Sequence, residues 1–264
     1  MNKELKIRTL TGIGLIIIIG AALVLGNIYF WLTTLLLSTL FYREYHNIYK
    51  NKKSRGFFFS TGLIGILYYI GLYYGIEYSL QISLLLLLIY GAFRVITKFP
   101  EYTYKNIKTT IFGFLYCYMF FGSVYLLRQE PRGLEWILFI LLVSVLGDVG
   151  AYLVGKRLGK NQIAPVLSPG KTMEGFLGGL FIGSLGGLIF GLLVLELTIP
   201  VTILISLAIL FIGLIGDLFE SHLKREVKIK DSGSLLPGHG GFLDRFDAII
   251  FISGFIYILL TVNY

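Results

Sequence analysis

Between Arg8 and Arg43 the chain carries no charged residue. A membrane span takes roughly 20 apolar residues, so this run is too long for one span and short for two. Gly26-Asn27 interrupts it with a turn signal. Read as two short or tilted helices, 10–26 and 28–42, it opens a series that continues at 57–75, 79–97, 109–127, 134–153, 174–195, 199–219 and 247–262. Composition agrees. Of the 264 residues 56% are hydrophobic and 14% charged, whereas soluble domains carry about 25% charged residues. Such a chain cannot cover a water-facing surface, and it is too apolar to stay disordered. The expectation is an all-α, polytopic integral membrane helical bundle of about nine transmembrane helices. It forms a single membrane domain over 1–264, with N-terminal helices over 1–133 and the catalytic helices over 134–264.

The net charge of +8 would suggest nucleic acid if the bases formed one patch. They follow the loops instead. Lys3, Lys6 and Arg8 precede the first span. Arg43, Lys50, Lys52, Lys53 and Arg55 follow the second, and Lys98, Lys105 and Lys108 follow the fourth. Lys156, Arg157, Lys160 and Lys171 follow the sixth, and Lys224, Arg225, Lys228, Lys230 and Arg245 follow the eighth. With Arg94 at the inner end of its span, 21 of the 23 bases fall on one side, leaving Arg128 and Arg132 on the other. The positive-inside rule then places the N-terminus in the cytoplasm. No nucleic-acid partner is expected. The basic segment Met1–Thr9 leads into an apolar run with no A-x-A-like cleavage site, so it reads as the flank of a retained helix.

Two residue classes read as structure. The single cysteine, Cys117, lies in an apolar run and reads as a small buried hydrophobe. Aromatic residues near span ends, among them Tyr29, Phe30, Trp31, Tyr68, Tyr69, Tyr73 and Tyr74, read as an interfacial belt. In the seventh span Gly175, Gly179, Gly183, Gly187 and Gly191 recur every fourth residue. Small residues at that spacing let another helix approach closely, inside the bundle or at a subunit contact that would make a homodimer.

Acids at the ends of spans are costly and point to function. Asp148 ends the sixth span, Asp217 and Glu220 end the eighth, and Asp244 and Asp247 open the ninth. All are expected at the same membrane face. Asp217, Glu220 and Ser221 share a helix face, as do Asp244 and Asp247. A carboxylate pair from Asp217 and Asp244 would suit Mg²⁺, which typically keeps water and takes one or two carboxylates plus substrate phosphates. The alternative is ion pairing with Arg225 and Arg245. Ion pairing or support of the metal ligands is the preferred role for Glu220 and Asp247. Around these acids lie bases and a Pro-Gly-His-Gly-Gly turn at 237–241, whose backbone N–H groups and His239 could meet phosphate oxygens. Ser168-Pro-Gly-Lys171-Thr just before the seventh span could bind an anion at a helix N-terminus, or could simply cap the helix.

The run Ser221-x-x-Lys224-Arg225, Lys230-Asp231, Pro237-Gly-His239-Gly240-Gly-x-x-Asp244-Arg245-x-Asp247 resembles the signature of phosphatidate cytidylyltransferases. So does the upstream run Asp148-x-Gly-Ala-Tyr-x-x-Gly, Gly159-Lys160, Ser168-Pro-x-Lys171-Thr-x-Glu174-Gly. Met173 stands where that family often has Trp, and Val149 where a small hydroxyl residue is common. The resemblance implies a reaction of CTP with phosphatidate that yields CDP-diacylglycerol and pyrophosphate. It implies Mg²⁺ on Asp217 and Asp244, with a second cation left open, and Asp148 as a third acid. Lys224 and Arg225 would act with them in catalysis. Ser168, Lys160, Lys171, Ser221, Lys230, His239, Gly240, Arg245 and Asp247 would contact substrate. The place implied is the cytoplasmic face of a bacterial-type inner membrane, in a multi-pass protein. The nearest rival is another CTP-using lipid enzyme. A transporter would place its acids near the bilayer midplane rather than at one face.

Overall fold

The computed structural model describes residues 3–50, 55–229, 232–233, 235 and 240–262, with side chains from residue 9 onward. Its helices are α1 (Lys3–Leu25), α2 (Asn27–Tyr49), α3 (Phe58–Tyr73), α4 (Ser79–Thr97), α5 (Tyr104–Phe114), α6 (Phe120–Gln129), α7 (Gly133–Leu158), α8 (Met173–Leu193), α9 (Ile199–Glu226) and α10 (Leu243–Val262). A π-helical turn, Leu115–Met119, joins α5 to α6. Each apolar segment of the sequence thus has a helix. Six stretches among the described residues are long and apolar enough to cross a membrane: α4, α5 through α6, α7, α8, α9 and α10. Thr9–Leu25 and α3 are apolar but shorter.

Large apolar side chains stand outward, as Ile16, Leu85, Ile89, Phe181, Leu185 and Leu204 do. Buried positions hold hydroxyls such as Thr34, Ser83 and Thr202. These donate to carbonyls of their own helices: Thr34 to Phe30, Ser83 to Ser79 and Thr202 to Thr198. Apolar outside and locally satisfied polar groups inside is the arrangement a lipid solvent demands.

The chain divides into two compact units. The first comprises Met1–Leu126 and Ile229–Arg245; the second comprises Leu127–Lys228 and Phe246–Tyr264. The core of the first unit is aromatic. Tyr42 stacks on Phe58 with ring centroids 5.7 Å apart, and Phe41, Phe114, Tyr116 and Tyr118 are fully buried around it. Gly113 makes room, since a Cβ there would sit 3.2 Å from the Tyr42 ring and closer still to Tyr45. Phe30, Tyr68 and Tyr69 belong to this core rather than to an interfacial belt, whereas Tyr29, Tyr73 and Tyr74 are exposed. The span-end position of Tyr68 and Tyr69 concealed that their rings turn inward. Cys117 is buried, as its apolar surroundings suggest.

In the second unit α7 and α8 pack backbone to backbone. A Cβ on Gly175 would meet the Ala151 carbonyl at 2.8 Å, and one on Gly179 would meet the Gly147 carbonyl at 2.8 Å. Further along, a Cβ on Gly187 would press on Val143 of α7 and Ser206 of α9. The glycine stripe therefore serves packing within this unit.

Three boundaries differ from the sequence reading. The 154–173 segment is not all loop: Gln162–Ala164 (β1) and Ser168–Thr172 (β2) form an antiparallel ribbon with a register shift, turning at 165–167. The fold is thus nearly rather than wholly α. Pro165 supplies the break, because it cannot donate to a ladder and presets its φ. Helix α7 runs on to Leu158, and α9 runs on to Glu226. Ser221, Lys224 and Arg225 therefore ride on helix rather than loop. The i, i+4 ion pair of Glu220 with Lys224 lies in this extension, where such a pair favours helix.

Candidate active site

In the second unit, local structure first fixes the approach to α8. Thr172 caps the helix, its hydroxyl accepting from the Gly175 N–H at 3.2 Å. Glu174 in the first turn reaches back to the end of the preceding turn. It accepts from the Lys160 N–H at 3.0 Å, from the Asn161 N–H at 3.2 Å and from Asn161 Nδ2 at 2.6 Å. A carboxylate at a helix N-terminus is favoured by the helix dipole, and here it also closes the base of the ribbon. Gln162 Nε2 donates to the Pro169 carbonyl at 3.0 Å. The ribbon so held presents Lys171 from the end of β2, and its Nζ forms an ion pair with Asp217 Oδ2 of α9.

Other close approaches set acids around this pair. A Cβ on Gly216 would lie 2.8 Å from the Asp247 carbonyl oxygen and 3.1 Å from Ala248 Cα. Only glycine lets α9 and α10 come so near, and Asp217 follows it directly. Asp247 is 9% exposed and accepts the Ala248 N–H at 2.9 Å. It feels the charges of Asp217, Lys171 and Lys224. Asp148, on α7 beside Gly147 and Gly150, feels Asp217 and Lys171. Glu220, 2% exposed, pairs with Lys224 at 2.6 Å along α9. Ion pairing, the preferred reading for Glu220, is thus realised with Lys224 as partner. Asp148, Asp217, Asp247, Lys171 and Lys224 form one electrostatic cluster, with Ser221 buried on α9 and Arg225 exposed. Because α7 and α9 run on to Leu158 and Glu226, Asp148 and Asp217 lie inside their helices rather than at the ends expected from the apolar runs. Ser168 stands half-buried on β2, and the Lys160 side chain is exposed.

In the first unit, Asp244 in the first turn of α10 organises the turn before it. Its Oδ2 accepts from the Ser232 N–H at 3.2 Å, from Ser232 Oγ at 3.0 Å and from the Gly241 N–H at 3.1 Å. Gly240 has a φ of +85°, and a Cβ there would stand 3.3 Å from Asp244 Oδ2. Arg245 is exposed. A group absent from the sequence reading joins them: Glu44 of α2, 1% exposed, accepts from the Leu243 N–H at 2.9 Å and from Ser232 Oγ at 3.2 Å. Asp217 and Asp244 fall in different compact units. Lys230 and His239 lie outside the described residues.

Glu174 and Glu44 are the side chains organising these two regions to which the sequence reading gave no role. Glu44 carried a readable signal, being an acid at the end of an apolar segment like Asp217, but its neighbour Arg43 made it pass for an ordinary flanking charge.

The acids also bear on metal binding. Among the described residues no group of three or more Asp, Glu, His or Cys side chains is arranged to hold a metal ion. That excludes a cage of three such protein ligands within them but not a Mg²⁺ site, which needs one or two carboxylates and completes its shell with water and phosphate. The donors fit that role in being hard oxygens, and the Lys171 ammonium now on Asp217 shows that the carboxylate takes a cation, which Mg²⁺ would have to displace.

The long apolar helices and the acids and bases gathered on the C-terminal ones are those of a multi-pass helical membrane protein. The chain belongs to the cytidylyltransferase family of enzymes, whose family model matches residues 6–263. It is 34% identical over 267 residues to a phosphatidate cytidylyltransferase of Staphylococcus epidermidis, covering 97% of this chain and 99% of that protein. It is 40% identical over 186 residues to the Bacillus subtilis phosphatidate cytidylyltransferase, covering 69% of this chain and 68% of that one. It is 43% identical over 145 residues to one from Staphylococcus aureus, covering 54% of this chain and 55% of that one.

Proposed function

We propose that this enzyme transfers the cytidylyl group of CTP to phosphatidate, releasing pyrophosphate and leaving CDP-diacylglycerol in the membrane. The observation that carries the reading is the Lys171–Asp217 pair set among Asp148, Asp247 and Lys224, which α7, α9, α10 and the ribbon bring together. The names of the relatives point the same way. In the reaction a phosphate oxygen of phosphatidate attacks the α-phosphorus of CTP. The bond from that phosphorus to the bridging oxygen of the β-phosphate breaks, and pyrophosphate leaves with the electron pair. The lipid phosphate is itself the nucleophile, so the protein needs no covalent intermediate. Positioning and charge neutralisation then supply most of the rate.

Two polyanions must meet, and this chain's bases answer that need. Lys171, freed from Asp217, would hold CTP phosphates, while Lys224, Arg225 and Arg245 would hold the remaining phosphate charge. Asp217 would hold Mg²⁺ with Asp148 and Asp247 beside it, and the family resemblance adds Asp244. When bound, the ion would neutralise phosphate oxygens and orient the leaving group. Ser221, Ser168, Lys160, Lys230, His239 and Gly240 would line the substrate path. The sidedness of the bases favours nine spans with the N-terminus inside and the site at the cytoplasmic face of the inner membrane. There CTP arrives from water while the acyl chains stay in lipid.

The test is direct. Protein purified in detergent, given labelled CTP, Mg²⁺ and phosphatidate, should produce labelled lipid, and chelation should stop it. Phosphorylation of diacylglycerol or dolichol, with no labelled CDP-lipid, would sink the proposal.

A further inference from the structure

Glu44 is a buried carboxylate far in sequence from every charged motif. At 1% exposure it spends its Oε2 on two groups of the 232–245 segment, the Leu243 N–H at 2.9 Å and Ser232 Oγ at 3.2 Å. Leu243 is the first residue of α10, so its N–H belongs to the orphan donors of a helix N-terminus. Glu44 therefore caps α10 from another part of the chain. Ser232 Oγ also lies 3.0 Å from Asp244 Oδ2. One hydroxyl proton stands between two carboxylates and can be donated to only one at a time.

The backbone around Glu44 is shaped to admit it. A Cβ on Gly233 would lie 2.7 Å from Glu44 Oε1, and one on Gly241 would lie 2.6 Å from Glu44 Oε2. A side chain at either glycine would press on this carboxylate, and at Gly241 on Ser232 Oγ as well. Among the described residues Oε1 has no hydrogen-bond partner although it is buried. Burying a carboxylate this deeply costs more than a neutral anchor would, and a serine or asparagine could have held the same turn. A charged group here adds what a neutral anchor could not: while Ser232 and Gly241 orient the Asp244 carboxylate, a second carboxylate beside it adds a field that favours a cation.

We propose that Glu44 is a positioning residue for the cytidylyl transfer, acting through Ser232 and the N-terminus of α10 to hold Asp244 in its working orientation. This rests on the reaction proposed above and on a part for Asp244 in it.

The test uses the full-length protein in detergent micelles and the variants Glu44→Gln, Ser232→Ala and their combination. Glutamine keeps the volume and one acceptor but removes the charge. In Glu44→Gln, kcat should fall by roughly 10- to 100-fold, the scale on which small misplacements of reacting groups act. KM for CTP should stay within about twofold, and the Mg²⁺ concentration giving half-maximal rate should rise. The melting temperature should move by less than about 2 °C. Ser232→Ala should give a smaller fall in kcat, and the double variant should be no worse than Glu44→Gln, since both act through one bridge. Wild-type kcat and Mg²⁺ dependence in Glu44→Gln would overturn the proposal. So would a loss of activity that merely tracks a lowered melting temperature, or losses that multiply in the double variant. If Glu44→Gln does not fold, Ser232→Ala decides alone: its kcat must fall at unchanged melting temperature. Failure of the wild type to make CDP-lipid would instead refute the reaction. Amide exchange at Gly241 and Leu243 in Glu44→Gln would then still report on the tether, with unchanged protection counting against it.

Discussion

Gly216→Ala is the substitution whose effect the structure specifies most tightly. The added Cβ would stand 2.8 Å from the Asp247 carbonyl oxygen and 3.1 Å from Ala248 Cα. Ordinary van der Waals contact begins at about 3.4 Å, so α9 and α10 must separate by roughly 0.5 Å. Both obstacles are backbone and cannot rotate away. Overpacking of this kind costs about 1–3 kcal/mol, and the better helix propensity of alanine returns at most about 1 kcal/mol. With the full return the net loss is about 0–2 kcal/mol. The functional effect should be larger than the loss of stability suggests, because the displaced residues adjoin Asp217 and Asp247. A shift approaching 1 Å can cost about 100-fold in rate, so a fall in kcat of roughly 10- to 100-fold is expected. Gly213→Ala is the internal control. It lies one turn earlier on α9, but its Cβ would meet only the Ile252 Cδ1 tip at 3.3 Å and Ala248 Cβ at 3.8 Å. Ile252 can adjust its rotamer, so kcat should stay within about threefold and stability within about 0.5 kcal/mol. The assay is transfer of labelled CTP to phosphatidate in mixed micelles, paired with thermal unfolding of the same samples. A Gly216→Ala enzyme with wild-type rate, or a Gly213→Ala enzyme equally impaired, would refute the reasoning.

Further substitutions test other parts of the site. Asp217→Asn should abolish Mg²⁺-dependent turnover in a protein that still folds and inserts, whereas Lys171→Met should mainly raise KM for CTP, both read by steady-state kinetics. Thr172→Ala removes the α8 cap and should cost about 1 kcal/mol in thermal unfolding, and Glu174→Ala should expose the amides of Lys160 and Asn161 to exchange. For topology, the native Cys117 is buried and out of reach of label. Cysteines placed at the exposed positions Lys105 and Gln129, at the two ends of the α5–α6 stretch, should label from opposite sides of the membrane; labelling from one side would break the nine-span count.

The existence of the helices was legible because lipid imposes a long apolar run wherever a chain crosses it, and such a run survives in one dimension. Ser79–Thr97 matched its expected bounds to the residue. Boundaries failed where charge rather than hydropathy sustains the helix, as in the last turns of α7 and α9. The ribbon at 162–172 was missed because its ladder is a few residues long and its alternation too short to read. The acids at span ends stood out as candidates on cost alone, but their partners did not. Nothing in the spacing told that Lys171 would face Asp217, whereas the i, i+4 spacing of Glu220 and Lys224 was a readable ion-pair signal once α9 was known to continue past Asp217.

The sequence by itself determined the solvent of this protein, its helical class, its family and the set of charged residues available for chemistry. These follow from composition and local pattern, which do not depend on how the chain closes. Tertiary structure decided which charges meet. Glycines 175, 179 and 216 set how near the helices come, and that separation places Asp148 and Asp247 within electrostatic reach of Asp217. A contact such as Glu44 to Leu243 joins residues 199 apart in sequence, and no pattern along the chain encodes it, because its energy exists only once the helices have packed.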